Sequence, residues 1–159
     1  MLKVIGTILL CLTVVLIGII NEMALKRRKD YLSVMCDLSA ECVEIMRNEN
    51  KTVDSVLHSF SSPECTFLRK IDTKTMSDGV LLEQILSESG VVKDDIKVIV
   101  AFLSVLGCGD IQQQKSHCGY YHIKFEELLS KAENELNTKC KMQRSLYLLG
   151  SVALFIILI

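Results

Sequence analysis

The sequence has few of the devices that interrupt or staple a chain. It contains a single proline, Pro63, and no alternation of apolar and polar residues long enough for a convincing strand, so helix is expected nearly throughout. No Gly- or Pro-rich linker, internal repeat or low-complexity tract divides it, and its length leaves room for one domain. No two cysteines stand as C-x-x-C. Cys11, Cys36, Cys42, Cys65, Cys108, Cys118 and Cys140 are scattered and odd in number, which argues against a disulfide framework and against a zinc site built of tight pairs. They read as small buried hydrophobes in a reduced protein. No Walker sequence is present, and Gly107-x-Gly109 lacks the third glycine and preceding strand of a dinucleotide loop. With 18 basic and 19 acidic residues there is no strong field of either sign, which argues against nucleic acid as the main partner.

Charge is missing altogether from two runs, residues 4–20 and 145–159; every carboxylate and every basic residue except Lys3 lies between them. With flanking Leu2 and the Met23-Ala24-Leu25 turn, the first run is just long enough to cross a hydrocarbon layer of ~30 Å at ~1.5 Å per residue. It is longer than a signal-peptide core, and no small-x-small cleavage site follows it. An uncleaved anchor is expected. The second run is shorter, but it is apolar almost all round rather than along one stripe, with Arg144 and Tyr147 as interface anchors. A second membrane helix is expected there. Lys26, Arg27, Arg28 and Lys29 follow the first run, and Lys139, Lys141 and Arg144 flank the second, against Lys3 alone on the far side. This asymmetry orients the middle toward the cytoplasm. The expected organisation is a transmembrane helix over 1–25, a cytoplasmic helical bundle over 26–144 and a transmembrane helix over 145–159.

The fold class is all-α, with about six helices, the first and last continuous with the spans. Tyr31, Met35, Leu38, Cys42 and Ile45 recur at steps of four and three and form one stripe, ending near Asn48–Asn50. Thr52 caps a short helix carrying Val53, Val56, Leu57 and Phe60. Ser62-Pro63-Glu64 spells a further start, with Phe67, Leu68 and Ile71 inward. A fourth helix is expected from near Ser77, with Leu81, Leu82, Ile85 and Leu86 inward, to a stop at Gly90. The fifth spans Val92 to Leu106 and buries Ile96, Ile99, Phe102, Leu103 and Leu106. After Gly107-Cys108-Gly109, Asp110 and Gln113 resemble a capping box. The last helix carries Cys118, Tyr121, Phe125, Leu128, Ala132 and Leu136 into the second span.

No motif reads as an enzyme. Gly107-Cys108-Gly109-Asp110 matches the G-x-G-D string of intramembrane aspartyl proteases, but that chemistry needs a second aspartate on a facing membrane helix. Neither apolar run contains one, and a helix stop followed by an N-cap is the simpler use. Cys118 and His122 share a helical face and make at most half a metal site; core packing for Cys118 and solvent for His122 is the plainer account. His58 and His117 are isolated. The sequon Asn50-Lys51-Thr52 is silent in a cytoplasmic placement, and the basic cluster 26–29 suits anionic headgroups.

Met1-Leu2-Lys3 leading into the first run, Leu103-Ser104-Val105-Leu106-Gly107-Cys108-Gly109-Asp110, Met142-Gln143-Arg144-Ser145-Leu146, Leu149-Gly150 and the terminal Ile156-Ile157-Leu158-Ile159 together resemble the stage III sporulation protein AB family. The resemblance covers the whole chain in layout. It departs at Gly109, where the family tends to have serine, and at Tyr147, where it tends to have glycine. It implies a non-enzymatic membrane platform in the sporulation secretion channel between mother cell and forespore. The implied location is the outer forespore membrane, with the bundle facing the mother-cell cytoplasm and resembling the cytoplasmic domain of the type II secretion platform protein. Implied partners are the complex's secretion ATPase, stage III sporulation protein AA, its other membrane subunits and the lipid bilayer. No catalytic, cofactor or metal residue carries over. The loops around Lys74 and Gly90 and the corner Gly107, Gly109 and Asp110 are the candidate protein contacts. The competing readings are an aspartyl protease using Asp110 and an unrelated membrane adaptor.

Overall fold

The structure of the protein, a computed structural model, describes residues 2–49 and 52–158. Its elements run α1 Leu2–Glu49, α2 Val53–Ser59, a 3-10 helix Pro63–Lys70, α3 Thr73–Ser77, α4 Gly79–Glu88, α5 Lys93–Leu103 and α6 Ile111–Leu158. No strand occurs among the described residues. The first and last helices, α1 and α6, each run 48 residues without a break. The chain divides into two compact units, Met1–Arg27 with Lys131–Ile159, and Arg28–Ser130.

In the unit Arg28–Ser130 the helical stripes close on one core. Tyr31, Leu32, Met35, Leu38 and Cys42 of α1 are buried, as are Leu82 and Leu86 of α4, Ile96, Ile99, Phe102 and Leu103 of α5, and Cys118 and Phe125 of α6. Val56, Leu57, Phe67, Leu68 and Ile71 fill the same interior from the short elements. Ile45, expected on the α1 stripe, lies outside the described side chains. Leu81 departs from expectation, being 43% exposed.

The ends of these helices follow from local chemistry. The Ser55 amide donates to Thr52 Oγ1 at 3.4 Å and the Cys65 amide to Ser62 Oγ at 3.3 Å, each supplying an acceptor to an orphan N–H. The helix expected from near Ser77 is α4, which begins at Gly79, and an unexpected short helix, α3, precedes it, because two aspartates cap in succession. Asp72 takes the Thr75 amide at 2.8 Å, and Asp78 takes the Val80 and Leu81 amides at 3.1 and 3.2 Å. The Thr75 hydrogen bonds hold the Asp72 carboxyl below the usual carboxylate range. Gly90 then stops α4 at φ 76°, the left-handed geometry glycine adopts at least cost. Helix α5 ends at Leu103, three residues before the expected Leu106, since the chain tightens into turns through Leu106 N–H to Leu103 O and Cys108 N–H to Val105 O.

In the other unit, α1 and α6 meet at a notch. A Cβ placed on Gly18 would lie 2.7 Å from Tyr147 Cδ2, and Asn21 Nδ2 donates to the Tyr147 hydroxyl at 3.4 Å. Leu9, Leu12, Ile20 and Met23 of α1 and Leu146 and Leu149 of α6 are exposed. Most of the second uncharged run, and seven positions of the first, fall on side chains outside the described residues. Among the described residues no helix is long and apolar enough to cross a membrane.

The notch makes a test. Gly18→Leu forces a branched side chain against the Tyr147 ring, and overpacking of this kind costs about 1–3 kcal/mol. Its thermal midpoint in detergent should fall, and Tyr147→Ala in the same chain should restore it by opening the space. A Gly18→Leu chain that melts like the parent would show that the ring does not occupy the notch.

Candidate functional site

The candidate contact residues are built into the folded unit in different ways. Lys74 lies exposed on α3, whose Asp72 cap fixes the start of that turn. The corner after α5 is rigid. Gly107 and Gly109 take φ of 86° and 87°, a conformation strained for any residue with a Cβ. Gln114, buried on α6, reaches back to them: it accepts from the Gly107 amide at 3.1 Å and donates to Val105 O at 3.1 Å and to Cys108 O. Asp110 accepts from the Gln113 amide at 2.7 Å, so its carboxylate caps α6 as the capping pattern predicted.

The segments that carry Lys74 and Gly107 meet. Thr73, Met76 and Ser77 line a cavity of about 480 Å³ together with Thr52, Val53, Ser104, Leu106, Gly107 and Cys108. Gly90 does not line it; its turn joins α4 to α5 instead. Cys108 is exposed at this corner, unlike Cys36, Cys42, Cys65 and Cys118, which are buried.

The basic residues expected to orient the chain in a membrane divide. Lys26 pairs with Glu22 at 3.0 Å and Lys139 with Glu135 at 3.6 Å, both exposed (i, i+4) pairs of small energetic weight. Lys141 and Arg144 lie outside the described side chains. Arg28 has a use the sequence did not reveal. Its Nε and Nη2 donate to Asp95 Oδ2 and Oδ1 at 2.8 and 2.9 Å, and the Tyr31 hydroxyl donates to Oδ2 at 2.5 Å. The Asp95 side chain is 0% exposed and that of Arg28 15%. Tyr31 also accepts from the Val92 amide at 3.4 Å, so every partner of this carboxylate ties α1 to the start of α5. Burial, reinforced by Asp95, pushes the Tyr31 phenol well above its ordinary range, which keeps it a donor. A signal existed: Asp95 shares the apolar stripe of Ile99 and Phe102, where a charge must find a partner.

His122 is not paired with Cys118. Its Nδ1 lies 3.5 Å from Cys36 Sγ of α1, and its Nε2 lies 3.6 Å from Glu126 Oε1. Cys118 hydrogen-bonds Cys42 instead, a contact that together with burial pushes the Cys42 thiol up. His117 stacks on Phe102 at 5.7 Å, and its Nε2 meets Phe102 O at 2.9 Å.

No curated protein and no solved structure matches the chain. The family model of stage III sporulation protein AB matches residues 40–159, a span that takes in the Gly107–Asp110 corner, the Lys74 turn and all of α6. On that match the chain belongs to the stage III sporulation protein AB family, and its role lies in sporulation.

Proposed function

We propose that this chain is a non-catalytic platform subunit of the sporulation secretion channel. Its two terminal helices cross the outer forespore membrane, and its bundle receives a soluble partner on the mother-cell side. The observation that carries this reading is the fusion of each uncharged run, without a break, to a helix of the bundle. Such a join suits a subunit that holds a docked machine against a bilayer better than a detachable anchor would. The use of Asp110 as a helix cap gives that residue a structural role, and neither uncharged run supplies the second aspartate that aspartyl protease chemistry needs.

The partner proposed is the secretion ATPase of the same complex, stage III sporulation protein AA, docking on the surface where the Lys74 turn and the Gly107–Asp110 corner meet. Full-length chain in detergent, tagged and mixed with that ATPase, should retain it. Lys74→Glu and Asp110→Lys should each lower retention about tenfold, whereas Gly90→Ala, away from the cavity, should not. Unchanged retention in both reversals would move the docking surface elsewhere. Asp110→Asn keeps a good N-cap and should leave spore formation intact; a block with normal folding would favour the protease.

A further inference from the structure

Taking the docking surface proposed above as the starting point, we infer that the cavity between the Lys74 turn and the Gly107–Asp110 corner binds one neutral aromatic hydrogen-bond donor, a tryptophan or tyrosine side chain of the docked partner. The cavity, about 480 Å³, falls in the range of sites that enclose a small ligand, roughly 300–1,000 Å³. Its floor is apolar. Met76 and Leu106 are buried, and Val53 packs so closely on the corner that a Cβ placed on Gly107 would lie 2.8 Å from Val53 Cγ2. No charged side chain is among the described residues that line it.

The polar groups around this floor have their hydrogens already spent. Thr73 Oγ1 donates to Asp54 Oδ1 and Ser77 Oγ to Lys74 O, both at 2.7 Å, and Ser104 Oγ donates to Ala101 O at 3.4 Å. At the corner, the amides of Ser104, Leu106 and Cys108 donate to the carbonyls of Val100, Leu103 and Val105. The Gly107 amide donates to Gln114 Oε1. The three hydroxyls are left with lone pairs alone. Helix α5 ends at Leu103, directly before Ser104, so the negative end of its dipole adds the same sign. The complement of this cavity is a partial positive charge, carried by a donor.

The uncharged lining selects among donors. Lysine or arginine would bring an ion to walls that hold no carboxylate to pair with it. Asparagine and glutamine bring a carbonyl that needs a donor these hydroxyls no longer have, and serine or threonine would leave most of the volume empty. Tyrosine and tryptophan bring a large apolar body with a single O–H or N–H at its edge. The indole N–H, a donor only, is the closer match, and the Met76 sulfur is a favourable neighbour for either ring. The same two residues are enriched among interface hot spots, which fill desolvated pockets of this kind.

The test uses the full chain in detergent, with isotope-labelled methionine methyls read by nuclear magnetic resonance and indole as the probe. Indole should shift the Met76 methyl resonance, identified by its loss in Met76→Leu, in a saturable way. N-methylindole, the same ring without its donor, should bind about fivefold more weakly. Cys108 is exposed on the cavity wall, so its alkylation with N-ethylmaleimide should abolish the shift and, with it, retention of the ATPase. A Cys108→Ala chain given the same treatment should keep both. No saturable shift, or equal binding of the two indoles, would overturn the site. ATPase held equally by alkylated and untreated chains would remove the partner from the cavity while leaving its docking at this face in place. No retention by the untreated chain would overturn the docking and the occupant with it, and the indole titration would still decide the class of ligand.

Discussion

Asp95→Ala is expected to destabilise the Arg28–Ser130 unit by about 3–5 kcal/mol, the usual cost of removing one partner from a buried ion pair. The magnitude comes less from the lost attraction than from what remains. The Arg28 guanidinium, 15% exposed, keeps its charge but loses the Asp95 oxygens, and the Tyr31 hydroxyl loses the oxygen to which it donates at 2.5 Å. Partial access of Arg28 to water favours the lower half of that range. Denaturant or thermal unfolding of the full chain in detergent, followed by circular dichroism, measures it. Arg28→Met with Asp95→Leu removes both charges and fills the space with carbon, so the pair of changes should recover most of the loss. A single Asp95→Ala chain that unfolds with the parent would mean that the carboxylate is not the tie between α1 and α5.

Phe102→Ala should cost a similar amount, about 3–5 kcal/mol for a fully buried aromatic truncated to a methyl. Phe102 is 0% exposed, and it meets Phe125 edge-on at 5.3 Å, the His117 ring stacked at 5.7 Å and Tyr121 at 5.6 Å. Its removal opens a void between α5 and three successive inward positions of α6. Phe102→Leu refills much of that void and should cost far less. Equal melting of the alanine and leucine variants would show that the cluster relaxes around the gap rather than depending on the ring.

Much of this architecture can be read from the order of residues, and what cannot has a physical cause. The stripe Tyr31, Met35, Leu38 and Cys42 and the inward face of α5 are periodic, and both are buried. Caps at Thr52, Ser62 and Asp110 are local chemistry, confined to a few residues, and they stand where expected. The short helix α3 was hidden because its five residues, Thr73–Ser77, are too few to carry an apolar period; the Asp72 cap starts it and the Asp78 cap of α4 ends it. The site residues reveal the larger limit. Thr73 and Met76, from the turn that carries Lys74, line one cavity with Gly107, a closeness that no spacing along the chain discloses. His122 illustrates the same limit, since its same-face neighbour Cys118 is turned to Cys42 while its partner Cys36 arrives from a helix 86 residues away.

That separation has a consequence for the order in which the protein is made. The stripe of α1 is synthesised early, whereas His122 and Phe125 of α6 follow Cys36 by more than 80 residues. At roughly 5–20 residues per second, the nascent stripe waits on the order of 4–17 s for the helix that covers it. Throughout that interval Tyr31, Leu32, Met35, Leu38 and Cys42 lack part of their native cover, and a chain released before Ile111 would never obtain it. Truncated products should therefore be recognised as unfinished and be degraded, and completion of α6 is the event that turns the newborn chain into a folded one.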